Sequence, residues 1–176
     1  SSGHLALAQD LIGLDAKQSP IIFDLLLHVA TLLAVLIYFR KRLLHLIAAL
    51  FNSKRQEDRR LIMLLCVATC PIVVIGLSLK DSLEQVREHP VMVSLLLCIT
   101  GLILFLPGWV KAKSSQSPGL PSAIVMGLAQ ALALLPGISR SGSTIAAGMA
   151  MGLRPALAAE FSFLLAVPAI SGATLL

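Results

Sequence analysis

Arg140 stands in apolar sequence, inside the stretch Leu134-Leu135-Pro136-Gly137-Ile138-Ser139-Arg140-Ser141-Gly142-Ser143-Thr144. A guanidinium stays charged and carries five N–H donors, so placing it among apolar residues is costly and marks a candidate functional site. Around it Gly137, Ser139, Ser141, Gly142, Ser143 and Thr144 offer hydroxyls and accessible backbone amides. A helix starting directly after this loop would add the free N–H groups of its first turn. Several convergent donors and one bidentate cation suit a phosphate or pyrophosphate better than a carboxylate. The plainer alternative is a Pro136-Gly137 kink with Arg140 snorkelling to the surface.

A second polar tip opens the chain as Ser1-Ser2-Gly3-His4. Serine beside histidine can pair a nucleophile with its acid/base partner, and histidine can itself accept phosphate. A turn with a polar cap is the bland reading of the same four residues. Asp24 and His28 lie four apart, on one helix face, with Thr31 extending the stripe. They support a site or relay a proton, or else form an interhelical hydrogen-bond pair. Gln130 lines the loop cavity or joins two helices. Glu160 is expected at a helix start, where its charge suits the dipole. Gly148 and Gly152 read as a close-packing stripe. Cys66, Cys70 and Cys98 read as small buried apolar residues, since their spacing is not that of a zinc site.

The two tips are related by a repeat. Ser2-Gly3, Ala8 and Gly13-Leu14 recur about 139 residues later as Ser141-Gly142, Ala147 and Gly152-Leu153. After a one-residue slip, Phe23, Leu26, Leu27 and Val29 recur as Phe161, Leu164, Leu165 and Val167. Duplicated membrane segments with broken helices usually meet at a central site.

Composition supplies the setting. The 176 residues are 57% hydrophobic and 13% charged, against about a quarter charged in soluble domains. The chain therefore reads as an all-α polytopic membrane protein, a single integral-membrane domain over 1–176. The net charge of +5 is placed as a positive-inside signal, with seven Lys/Arg between Arg40 and Arg60. Aromatic residues at 5% are too few for a base-stacking surface, which argues against nucleic acid as a partner.

A helix needs about 20 residues to span the hydrocarbon core. Ile21–Phe39, Leu61–Leu79 and Val91–Val110 qualify, and Glu160–Leu176 begins another span. The charge asymmetry puts Arg40–Arg60 and Lys111–Gly119 in the cytoplasm and Lys80–Pro90 outside. Leu120–Leu135 and Ser143–Leu153 are short, and are expected to form a re-entrant pair flanking the arginine loop. Because that pair adds no net crossing, Ile21–Phe39 and its later counterpart run in opposite senses. The expected fold is thus an inverted-topology repeat, repeat 1 over about 1–110 and an incomplete repeat 2 over about 120–176. Ser1–Leu14 would be half of an opposing re-entrant pair. The chain reads as a fragment lacking the first re-entrant segment and the last spans.

These residues resemble a known family. Pro136-Gly137-Ile138-Ser139-Arg140-Ser141-Gly142-Ser143-Thr144 looks like the Pro-Gly-x-Ser-Arg-Ser-Gly-x-Thr motif of the undecaprenyl-pyrophosphate phosphatases, or bacitracin-resistance proteins. Ser1-Ser2-Gly3-His4 is similar to the end of that family's Pro-x-Ser-Ser-x-Gly-His motif, and Phe23–Leu32 and Phe161–Pro168 also look like family segments. The resemblance implies a multi-pass enzyme of the bacterial plasma membrane, its site facing the periplasm. It would hydrolyse undecaprenyl pyrophosphate to the monophosphate, recycling the carrier for cell-wall synthesis. It implies that Arg140 binds pyrophosphate, with Ser139, Ser141, Ser143 and Thr144 around it, that Ser1 is the nucleophile and that His4 is catalytic. It further implies a divalent cation, Mg or Ca, whose acidic ligands are expected upstream of Ser1. Bacitracin would compete indirectly, by binding the substrate, and a homodimer is left open. The main rival is a transporter or flippase of a lipid phosphate, since inverted repeats with broken helices around an anion site describe both. A purely structural subunit leaves Arg140 unexplained.

Overall fold

A computed structural model describes residues 20–52, 54–78, 86, 89–109 and 117–175, and there the chain is all-helical. In chain order the helices are α1 (Pro20–Tyr38), α2 (Arg40–Phe51), α3 (Gln56–Ser78), α4 (Pro90–Trp109), α5 (Leu120–Leu132), α6 (Arg140–Ala150) and α7 (Pro155–Leu175). Ser1, Ser2, Gly3 and His4, the side chain of Asp24 and the opposing re-entrant half lie outside the described residues.

The spans expected at Ile21–Phe39 and Val91–Val110 are α1 and α4, each shifted by about one residue. Three boundaries differ more. The basic link after α1 is helical from Arg40 to Phe51, because apolar residues recur at three and four there, and Leu46 and Ala49 are buried. The next helix begins at Gln56 rather than Leu61, with Glu57 and Asp58 in the first turn, where acids favour the helix dipole. The last begins at Pro155 rather than Glu160, proline being suited to a first helical position. Glu160 is therefore not at a helix start. It sits one turn further in and accepts from Arg42 Nε at 3.0 Å, while Arg42 NH1 donates to Asp58 at 2.8 Å. That triad ties α2 to α3 and α7.

Close backbone approaches assemble the centre. A Cβ on Gly127 would stand 2.5 Å from the Ala68 carbonyl oxygen, so α5 lies almost directly on α3. Further along, Gly76 on α3 approaches Leu134, so α3 and α5 run in the same sense. On its other side α5 meets α6, where a Cβ on Gly148 would reach Met126 Sδ at 2.9 Å. The small residues of the Gly148 stripe thus serve close packing, as their spacing predicted. Leu61, Leu64, Ala68, Ala123, Met126, Leu153, Phe161 and Leu164 form the buried core between α3, α5 and α7. α7 also packs against α1 and α6.

The outer surface is apolar. Val73, Val74 and Leu77 of α3 and Val91, Leu95 and Leu102 of α4 are all exposed. Two helices, Gln56–Ser78 and Pro155–Gly172, are long and apolar enough to cross a membrane. An apolar exterior on this scale needs a lipid surrounding, and the protein is a helical membrane protein. Cys66, Cys70 and Cys98 are exposed with free thiols, not buried as expected. A cysteine is apolar enough for a lipid-facing position, so hydropathy alone does not separate the two faces of such a helix.

Candidate functional site

The arginine loop follows α5 and docks against the side of α4. Gly137 has φ +104, a conformation that L side chains rarely adopt. A Cβ there would lie 2.5 Å from the Val93 carbonyl oxygen and 2.9 Å from Leu96 Cβ. Both restraints require glycine. Pro136 precedes it, and Ile138 is buried beside it.

Thr100, midway along α4, fastens the loop. Its one hydroxyl proton is shared between the Gly137 carbonyl at 2.9 Å and Leu96 O at 3.1 Å, and its oxygen accepts from the Ser139 backbone N–H at 3.1 Å. Thr100 was not singled out from the sequence. An isolated threonine in an apolar helix usually bonds only its own carbonyl four residues back, so only the packed structure exposes its second role. Leu104, one turn on, reaches Gly142. Hence α6 descends α4 in the same sense that α5 ascends α3, and the loop tip stands at half the length of α4.

Helix α6 begins at Arg140, within the motif rather than after it. Ser139 is its N-cap, accepting from Gly142 N at 3.3 Å. The Ser143 N–H bonds the Ser139 carbonyl at 2.9 Å. The amides of Arg140 and Ser141 have no acceptor among the described residues. Arg140 itself is half-buried, and no carboxylate among the described residues pairs with it. A cation, free first-turn amides and the dipole of an 11-residue helix converge there, an arrangement that attracts an anion.

The hydroxyls divide into two groups. Ser139 and Ser141 are half-buried with Arg140. Ser143 and Thr144 are buried. Thr144 donates to Arg140 O at 2.8 Å and lies 2.6 Å from the Ser162 hydroxyl of α7, which locks the first turn of α6 to α7. Ser162, like Thr100, escaped the sequence reading. Ser143 Oγ and both side-chain polar atoms of Gln130 are buried without a partner. Thr31, Thr69, Ser78, Ser94 and Thr144 each bond the carbonyl four residues back; Ser143 does not. Gln130, on α5, is fully buried. His28 is exposed on α1, which packs chiefly against α7 and α2.

Such a site, a guanidinium at a helix N-terminus held inside an apolar helical assembly, belongs to a helical membrane protein. The chain belongs to the family described as bacitracin resistance protein BacA, whose model matches residues 1–176. It is 44% identical to an undecaprenyl-diphosphatase of Syntrophotalea carbinolica, over 99% of this chain and 68% of that protein. It is 40% identical to the undecaprenyl-diphosphatase of Rubrobacter xylanophilus, over 98% and 66%. It is also 40% identical to that of Rhodopirellula baltica, over 100% and 65%. The chain spans about two thirds of the length of these curated relatives.

Proposed function

We propose that this protein hydrolyses undecaprenyl pyrophosphate to undecaprenyl phosphate and phosphate, and so sustains cell-wall synthesis and bacitracin resistance. The observation that carries this reading is Arg140, unpaired among the described residues and half-buried at the start of α6. Family membership supplies the lipid diphosphate as the anion.

Arg140, the free amides of the first turn and the hydroxyls of Ser139 and Ser141 hold the diphosphate and spread its developing charge. Thr144 supports that turn from behind. An oxygen nucleophile, the Ser1 hydroxyl or a water, forms a bond to the terminal phosphorus as the bridging P–O bond breaks. The electron pair leaves with undecaprenyl phosphate, and His4 takes the nucleophile's proton. If Ser1 attacks, water then cleaves the phosphoserine and releases phosphate. A divalent cation, Mg or Ca, belongs to the reading as a further charge neutraliser. Among the described residues no three His, Cys, Asp or Glu side chains come together that could hold it.

The same reading places the site inside an inverted repeat. α5 has 13 residues and α6 has 11, about 20 and 16 Å of helix against a hydrocarbon core of about 30 Å. Their opposed directions and the loop's position at mid-α4 support a re-entrant hairpin. The contact of α1 with α7, its proposed counterpart, supports the repeat. The site would open to the periplasm. Asp24 and His28 would support the opposing tip.

Replacing Arg140 with Lys in the full-length protein tests this. Loss of the bidentate fork should cut phosphate release from the lipid diphosphate in detergent about a hundredfold. Near-normal turnover would remove Arg140 from the reaction. Phosphate release without any vesicle also separates the enzyme from the transporter, which needs two compartments to show activity.

A further inference from the structure

Two cavities meet at Glu160. One, of about 360 Å³, lies between α3 and α7 and is lined by Arg42, Glu57, Arg60, Leu61 and Phe161. The other, of about 630 Å³, is a groove between the last two turns of α1 and the first two of α7. Thr31, Val35, Tyr38, Phe39, Ala159 and Phe163 line it. Its floor is aromatic, with the Phe39 and Phe163 rings 6.1 Å apart and Tyr38 set edge-on to Phe39 at 4.8 Å. Such walls suit a hydrocarbon chain and offer nothing to a soluble anion.

Two basic residues adjoin the end of the groove in the chain. Arg40 and Lys41 follow Phe39 directly, and both are exposed. Arg40 Nη1 donates to the Ile37 carbonyl at 3.0 Å, which among the described residues leaves most of its N–H donors unused. No acid pairs with Arg40 or Lys41 among the described residues. The neighbouring Arg42, by contrast, is neutralised by Asp58 and Glu160. Glu160, the charged residue that lines the groove, is thereby neutralised. The level is that of a lipid headgroup, because α1 ends and α7 begins there. Seven Lys/Arg between Arg40 and Arg60 extend the positive field around it, which draws anionic lipid to this end of the protein.

We propose that this groove is a binding site for one anionic phospholipid of the basic-side leaflet. An acyl chain lies between α1 and α7, and Arg40 and Lys41 grip the phosphate. The site is separate from the arginine loop, which docks on α4, and does not depend on the reaction proposed for that loop.

Full-length protein in nanodiscs provides the test, read by thermal shift and by native mass spectrometry. Phosphatidylglycerol mixed into phosphatidylcholine should raise Tm above that in phosphatidylcholine alone, and one phosphatidylglycerol should stay bound on release from the disc. R40Q/K41Q should lose both effects. Ala159→Trp, which fills the groove and keeps the cations, should lose the bound lipid. If that variant still retains phosphatidylglycerol, charge attraction at the surface explains the binding and the site is refuted. It is equally refuted if the unmodified protein retains no lipid, as when another part of the chain covers the groove. Inorganic phosphate should leave Tm unchanged; a shift equal to that of the lipid would assign the cations to a free anion instead.

Discussion

Gly137 and Gln130 show opposite uses of a single side chain in the hairpin. At Gly137 the absence of one is what the structure requires, since Val93, Leu96 and a φ of +104 leave no place for it. Gly137→Ala should therefore destabilise the protein by at least about 2 kcal/mol, read as a fall in detergent Tm. An unchanged Tm would mean the loop can move off α4. At Gln130 the side chain is fully buried and its amide has no partner. An orphaned buried amide costs about 1–3 kcal/mol, so the near-isosteric Gln130→Met should raise Tm. If Tm falls instead, the amide has found a partner in the full-length protein. A Tm rise accompanied by slower turnover would make Gln130 a residue kept for function at the expense of stability.

Between elements, the decisive contact is that of the loop with α4. Thr100 alone holds both the Gly137 carbonyl and the Ser139 N–H. Thr100→Val keeps the shape and leaves two backbone groups unpaired, which should cost about 1–3 kcal/mol. Because Ser139 caps α6 and Arg140 is its first residue, the same change should lower kcat more than it raises KM. Equal effects on the two would mean the tether serves folding only. The Thr144–Ser162 contact holds the same turn from the α7 side, so α6 is gripped between α4 and α7. The hairpin's partner across the proposed repeat, Ser1 to His4, lies outside the described residues.

At the scale of the molecule, the described helices turn many large apolar side chains outward. Cys66, Cys70 and Cys98 sit on that exterior. A fluorophore carried at Cys98 should be quenched by nitroxides on lipid chains and not by aqueous iodide, since the outer face of α4 is apolar from Val91 to Phe105. Quenching by iodide would turn that face toward water. The charged end is organised differently, with the Arg42 triad joining three helices and Arg40 and Lys41 left over at the rim.

Hydropathy and charge were enough to find α1, α3, α4 and α7, because a membrane span must be long and apolar whatever it packs against. The motif from Pro136 to Thr144 was enough to identify the family, and Arg140 stands out in it because a cation among apolar residues is costly. The start of α6 at Arg140, the amphipathic α2, the place of Glu160 and the outward cysteines came from packing, as did Thr100 and Ser162. Those depend on which face of each helix meets another, and residues of one composition can line either face when lipid and protein interior are equally apolar.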